Sequence, residues 1–141
     1  MEAFEYARQY TKLPLVYNGD IFDAAGCHSA AQRFPGADLM IGRGLIANPA
    51  LAEEYFGTDV LTRGRLYAFH ERLYAGYAET MPKNVLLVRM CAIMEYIGCC
   101  FEDASKALKA VRKAKDNAAY RAAVDSLFDN CALSSQHGYR K

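Results

Sequence analysis

The hydrophobic residues of the first 45 positions fall in two short runs. Leu15–Val16–Tyr17 and Leu39–Met40–Ile41 have the length of buried strands. The segment between them, from Ala24 to about Arg33, predicts a helix capped by Asp23. A strand, a helix and a second strand within about thirty residues predict a right-handed crossover that leaves the two strands parallel.

From residue 58 onward the apolar residues follow helical spacing. A helix over residues 60–80, capped by Thr58–Asp59, would bury one face. Val85–Phe101 is apolar nearly all round, which predicts a helix at the centre of a bundle. Two further helices are predicted, one from Ala104 to about Ala114 and one that ends near Cys131, followed by a polar, frayed tail from Ser134 to Lys141. The predicted buried faces comprise Leu66, Phe69, His70, Leu73 and Tyr77 in the first helix and Tyr120, Val124, Leu127, Phe128 and Cys131 in the last.

These patterns predict a mostly α protein in two parts. Residues 1–57 would form the end of a (β/α) barrel with two short parallel strands, and residues 58–141 would form a carboxy-terminal helical bundle, with the boundary near Gly57. A composition of 52% hydrophobic and 23% charged residues is that of an ordered protein. Two parallel strands cannot bury both of their faces alone, so residues 1–45 could pack on the bundle, self-associate with a second copy through exposed strand edges, or be partly disordered.

Composition also bears on location and metal binding. The amino terminus is acidic and lacks the features of a signal peptide, and Val85–Phe101 is shorter than the roughly 20 residues that span a bilayer. The five cysteines include no CxxC pair and no histidine spacing that would hold zinc. We therefore expect reduced thiols in a cytoplasmic protein, with no metal site and no membrane partner.

Two loops carry the candidate binding chemistry of the first part. Asn18–Gly19–Asp20 and Gly42–Arg43–Gly44 follow the two predicted strands at their carboxyl ends. Glycine-rich turns there expose backbone amides to an anion, and a following helix start adds a favourable dipole. Each is also compatible with an ordinary turn, but their pairing at this spacing favours a phosphate site.

Basic residues distinguish the second part. The formal charge is −3 over residues 1–57 and +4 over residues 58–141. Residues 106–115 include five basic residues and no acidic residue. Lys106, Lys109 and Lys113 share one helical face, which could follow the phosphate backbone of a nucleic acid or be an ordinary solvated face. The cations are Lys106, Lys109, Arg112, Lys113 and Lys115.

The paired loops, with Asn48–Pro49 after them, resemble the end of the barrel in the tRNA-dihydrouridine synthase family. The resemblance implies a flavin mononucleotide (FMN) phosphate held by Asn18, Gly19, Asp20, Gly42 and Arg43, with NADPH as the reductant of the parent family. Residues 58–141 resemble the family's helical tRNA-binding domain, and this resemblance implies contacts with tRNA. The candidate contact residues are Arg89, Lys106, Lys109, Arg112 and Lys113. Cys91 stands where close relatives often place another basic residue.

The same resemblance indicates what has no counterpart in this sequence. The family's upstream strands and the catalytic cysteine in an Asn-x-Gly-Cys-Pro loop are not found here, and Cys27 lies in a different motif. We therefore assign no catalytic residue and expect a carboxy-terminal fragment, such as a cleavage product or a truncated gene product, that binds little or no FMN and is inactive alone. A stand-alone helical RNA- or protein-binding module, or a fragment of another FMN-dependent (β/α)₈ oxidoreductase, remains an alternative.

Overall fold

The computed structural model describes residues 2–135, 138 and 139. Within that part of the chain, eight α-helices accompany two short strands and one 3₁₀ turn, which confirms the prediction of a mostly α protein with a barrel remnant. The elements are α1 (Glu2–Arg8), β1 (Val16–Asn18), α2 (Ala24–Arg33), β2 (Asp38–Met40), α3 (Arg43–Ala47), α4 (Leu51–Phe56), α5 (Arg63–Thr80), α6 (Lys83–Ile97), the 3₁₀ turn (Gly98–Cys100), α7 (Ser105–Lys113) and α8 (Asn117–Asn130).

The two strands pair in parallel, with α2 as the crossover, as predicted. Tyr17 lies opposite Leu39, and this pair faces the helices, where the Tyr17 ring lies between Phe4 and Phe34 with centroids 5.2 and 4.6 Å away. The other face is open, with Val16 52% and Met40 56% exposed. Because side chains alternate along a strand, both belong to the face turned away from the helices.

The start of α5 differs from the prediction. Thr62, rather than Thr58–Asp59, caps the helix, since its Oγ1 accepts a hydrogen bond from the Arg65 amide at 3.3 Å. Asp59 instead accepts a bond from the Arg65 guanidinium at 2.8 Å. The physical reason is Leu61, which is only 4% exposed and which precedes the cap so that its side chain enters the core.

The predicted central helix Val85–Phe101 differs from α6 in where it ends and in having one exposed face. The helix α6 ends at Ile97 rather than Phe101, and it packs on α3, α5, α7 and α8. On its outer face Val88 is 71% exposed, and Arg89 is exposed as well. The charge of Arg89 is therefore solvated and needs no buried partner. The buried residues of α6 are Leu86, Met90, Ile93, Met94 and Ile97.

The last helix is confirmed, but the tail is not frayed where it is described. Asp116 caps α8 by accepting a bond from the Ala119 amide at 2.8 Å, and Arg63 donates to the carbonyls of Phe128 and Cys131 at its other end. Beyond α8 the chain stays attached, because the Ser134 amide donates to the Cys100 carbonyl at 2.8 Å. Residues 136, 137, 140 and 141 of the predicted tail lie outside the described residues.

Two hydrophobic clusters meet at adjacent residues, Ala50 and Leu51. Ala50 belongs to the core of the bundle, whereas Leu51 belongs to the cluster around Tyr17 and Phe34, and both are fully buried. The thiol of Cys100 also donates to the Ala47 carbonyl at 3.1 Å across the same junction. The barrel-like part and the helical part therefore share packed surface, and the domain boundary near Gly57 stays a prediction.

Candidate functional site

The two candidate phosphate loops leave the same edge of the sheet. Asn18 pairs with Met40 at the carboxyl ends of β1 and β2, so Gly19–Asp20 and Ile41–Gly42 continue side by side. Helix α3 begins at Arg43, with Gly42 as its N-cap residue. The amides of its first turn have no acceptor within the helix, and the helix dipole gives this end a partial positive charge.

The two glycines around Arg43 have different steric roles. A Cβ added at Gly44 would lie 2.5 Å from the Ile21 carbonyl oxygen, so a side chain there would push α3 away from the β1 loop. A Cβ added at Gly42 would meet nothing within 4 Å. Gly44 is therefore required by the packing of the loops on each other, whereas Gly42 faces open space in which an anion can approach the backbone.

Arg43 is oriented by neighbours on both sides. Its Nη2 donates to Asp20 Oδ1 at 2.6 Å, which joins the two loops through a pair that is about half exposed. Its guanidinium carbon also lies 5.4 Å from the Phe22 ring centroid and 5.5 Å from that of Tyr139. Such stacking holds the planar guanidinium while leaving N–H groups for a phosphate.

Tyr139 was not predicted as part of this region, because it lies almost one hundred residues from Arg43 in the chain. Its ring contacts Phe22 and Tyr96, with centroids 5.1 Å apart in each case. Gly138 allows the approach, since a Cβ there would lie 2.7 Å from the Phe22 carbonyl oxygen and its φ is +143°. The tail thus returns to the loop after β1.

Asn48, noted in sequence only as part of Asn48–Pro49, has a structural position beside the loops. It is fully buried. Its Oδ1 accepts from the Ala50 amide at 2.9 Å, and its Nδ2 donates to Glu54 Oε2 at 2.8 Å. Glu54 in turn accepts from the Leu61 amide at 2.9 Å. No sequence motif indicated this role for Glu54. Through these two bonds its carboxylate connects the end of α3 to the segment that leads into α5.

The two buried cysteines, Cys27 and Cys100, lack the surroundings of a reactive thiol. Cys27 is 1% exposed, and burial followed by the nearby Asp23 carboxylate raises its pKa. Burial also raises the pKa of Cys100 to about 11. A protonated thiol is a poor nucleophile. All five cysteines are free, and the described residues contain no cluster of three His, Cys, Asp or Glu side chains able to hold a metal ion.

The predicted RNA-binding residues lie on α6 and α7. Lys106, Lys109 and Lys113 are exposed, and their spacing places them on one face of α7. Arg112 differs, because its Nε lies 3.3 Å from Glu95 Oε1 of α6 and part of its charge is balanced there. Arg89 is exposed on α6.

Comparison of the chain with models of known protein families gives one match. A family model described as Dihydrouridine synthase (Dus) matches residues 1–134. Comparison with curated proteins gives no match. Among the helices in the described ranges, none combines the length and apolar character that crossing a membrane requires.

Proposed function

We propose, from the premise that this chain belongs to the dihydrouridine synthase family, that it is the carboxy-terminal, tRNA-binding part of an FMN-dependent tRNA-dihydrouridine synthase. The observation that carries the proposal is the family match over residues 1–134, which includes both phosphate loops and all of α7. The parallel sheet supports it, since the open face with Val16 and Met40 is suited to the interior of a larger barrel.

The residues present fit the phosphate end of FMN. The first-turn amides of α3, the open space at Gly42 and the stacked guanidinium of Arg43 offer donors and positive charge to one phosphate. Asn18 and Gly19 would contribute from the β1 loop, and Asp20 would orient Arg43 through their ion pair. When bound, reduced FMN supplies the hydride that uridine reduction requires, and NADPH is its reductant in the parent family.

We propose that the isolated chain does not catalyse this reduction. Saturating the uracil C5–C6 bond also needs a proton donor at the opposite face of the ring. Cys27 and Cys100 are buried thiols within the two hydrophobic clusters and have no access to a substrate. The two loops provide only the phosphate end of an FMN site, with no barrel wall around the isoalloxazine in the described part of the chain, so the isolated chain should bind FMN weakly or not at all. A titration that gives micromolar or tighter binding would overturn this part of the proposal.

The RNA-binding part rests on Lys106, Lys109 and Lys113, with Arg89 and Arg112 as further contacts. Five free cysteines and a tRNA substrate are also consistent with the cytoplasmic location that we propose. Each phosphate contact releases counterions, so the logarithm of the binding constant falls with the logarithm of salt concentration by roughly 0.7 to 0.9 per contact. The salt dependence of binding therefore reports the number of phosphates that the chain contacts.

The test is tRNA binding by the full chain and by the variant Lys109→Glu/Lys113→Glu at several salt concentrations. We expect weaker binding and a salt slope smaller by roughly 1.4 to 1.8, as two lost contacts require. The matched control Lys12→Glu/Arg72→Glu makes the same change in net charge at exposed positions outside α7. Equal losses in both variants, or no loss in either, would contradict a role for α7.

A further inference from the structure

A second feature of the RNA-facing half is a groove between the first turn of α6 and the junction of α7 and α8. It has a volume of about 680 Å³, within the range typical of small-ligand pockets. Its lining includes Leu87 and Val88 from α6, Ala114 and Lys115 after α7, and Asn117 at the start of α8. The predicted tRNA contacts do not include any of these residues.

The floor of the groove is apolar and uncovered. Val88, which lines the groove, is 71% exposed, and Leu87, which lines it as well, is partly buried against the bundle core. An isolated exposed valine is ordinary on a protein surface. Here the apolar side chains lie inside a concave surface, where they can contact a flat partner such as a nucleobase.

The rim of the groove is basic and polar. Lys83 and Lys115 lie at opposite sides, one at the start of α6 and the other between α7 and α8. The one acid in the lining, Asp116, already accepts a hydrogen bond from the Ala119 amide as the cap of α8. Two lysines against one carboxylate leave the groove positive, which favours an anionic partner.

Two side-chain amides distinguish a nucleotide from an acidic peptide as the occupant. Asn84 and Asn117 both line the groove, and their amide groups make no hydrogen bond to the described residues. Each offers a donor and an acceptor, the combination that base edges require, whereas a carboxylate-rich peptide requires donors alone. The groove also opens where the basic face of α7 ends, two residues from Lys113.

We propose that this groove holds one unpaired nucleotide of the RNA whose backbone follows the basic face of α7. The base contacts Leu87 and Val88, Asn84 and Asn117 bond its edge, and Lys83 and Lys115 bind the flanking phosphates. The inference rests on the proposed tRNA binding and adds a preference for single-stranded RNA, because a base in a duplex is stacked and paired and cannot enter the groove.

The experiment measures binding of the full chain to a tRNA transcript, to a short oligouridylate and to an RNA duplex of the same length. The informative variant is Val88→Asp, and the matched control is Val60→Asp, at a position that is 60% exposed and outside the groove. We expect Val88→Asp to weaken tRNA and oligouridylate binding about tenfold, as the loss of one base contact predicts, with Val60→Asp changing either by less than about twofold. Duplex binding should respond equally to the two variants.

Two further variants separate the contacts. Val88→Ala should weaken single-strand binding without changing its salt slope, whereas Lys83→Gln should reduce the slope by about 0.7. Thermal unfolding confirms that each variant is folded.

Different failures have different meanings. If Lys109→Glu/Lys113→Glu weakens tRNA binding while Val88→Asp and Val60→Asp behave alike, the groove proposal is overturned and tRNA binding by α7 stands. If Val88→Asp weakens single-strand and duplex binding to the same extent, the groove does not select an unpaired nucleotide, and the proposal is again overturned. If the parent chain binds no RNA at all, both proposals are wrong.

Discussion

His70 offers a test of the buried polar network that joins α5 to α8. Its side chain is fully buried, with Nδ1 3.1 Å from Glu71 Oε1 and Nε2 2.8 Å from the Tyr120 hydroxyl. The Glu71 carboxylate can only accept, so Nδ1–H donates to it and Nε2 accepts from Tyr120. This agrees with the sequence-based expectation that His70 lies on the buried face of its helix. Two other charged groups lie near the imidazole ring of His70. They are Arg121, whose Nη1 lies 3.2 Å from Glu71 Oε2, and Asp125.

Protonation of His70 opposes folding. Burial lowers the pKa of His70 below its ordinary value of 6.5, and the attraction of Glu71 offsets this only in part. Below pH 6.5 the unfolded chain therefore binds a proton that the folded chain excludes, and stability falls as pH falls. At pH 5.5 the loss relative to pH 7.5 is at most about 1.4 kcal/mol, the value for one pH unit below the unfolded pKa.

The assay is urea unfolding of the parent chain and of His70→Gln at pH 7.5 and pH 5.5. Glutamine retains an acceptor for Tyr120 but does not titrate, so the parent should lose up to about 1.4 kcal/mol more than the variant between the two pH values. If His70→Gln and the parent lose the same free energy of unfolding over this interval, the reasoning is refuted. Stopping at pH 5.5 avoids the range in which carboxylates ordinarily titrate.

Three shorter predictions follow from other contacts. Gly44→Ala should reduce the free energy of unfolding by about 1 to 3 kcal/mol, because its Cβ would lie 2.5 Å from the Ile21 carbonyl, whereas Gly42→Ala meets nothing within 4 Å and should cost less in the same urea titration. Val16→Lys/Met40→Lys should abolish self-association through the exposed strand edges, as measured by sedimentation, because lysine side chains on short edge strands oppose pairing with a second copy. Leu13→Lys, at a position 75% exposed outside the strands, should leave association unchanged. Association that survives the double change would contradict the expectation. Arg63→Met should lower the free energy of unfolding by about 1.5 to 3 kcal/mol and speed amide hydrogen exchange at the end of α8, because it removes the donors to the Phe128 and Cys131 carbonyls. Arg72→Met, at an exposed position, is the control. Equal exchange rates in the two variants would contradict this role of Arg63.

Local patterns were sufficient to predict the strands, their parallel crossover and most helices. The runs ending at Tyr17 and Ile41 have strand length, and Asp23 is a cap whose side chain bonds an amide three residues on, so these features depend on neighbouring residues. The exposure of Val88 could not be predicted in this way. Hydropathy records that a valine is apolar, but the number of helices packed against α6 decides whether it is covered.

Long-range contacts explain the other differences. Tyr139 reaches Phe22 and Arg43 through a tail with no regular structure, and no periodicity links positions so far apart in sequence. Thr58 and Thr62 are equally good caps by residue type, and the choice of Thr62 depends on the burial of Leu61 in the tertiary core. Residue type and spacing therefore indicated where chemistry was available, while the partners of Arg43 and Asn48 required the folded chain.

The contacts between the two parts bear directly on the proposed enzyme. A synthase that reduces one uridine must hold its tRNA at a fixed position relative to its flavin, because displacement of a reacting atom by about 1 Å lowers the rate by roughly a hundredfold. The phosphate loops and α7 are linked here through α3 and α6, which pack on each other, and α6 in turn packs on α7. A buried bond reinforces this path, because the Cys100 thiol donates to the Ala47 carbonyl at the end of α3. Buried hydrogen-bonded groups resist relative movement, because separating them leaves unsatisfied polar atoms. The packed junction would therefore hold the proposed tRNA contacts of α7 at a fixed position relative to the proposed phosphate site at α3.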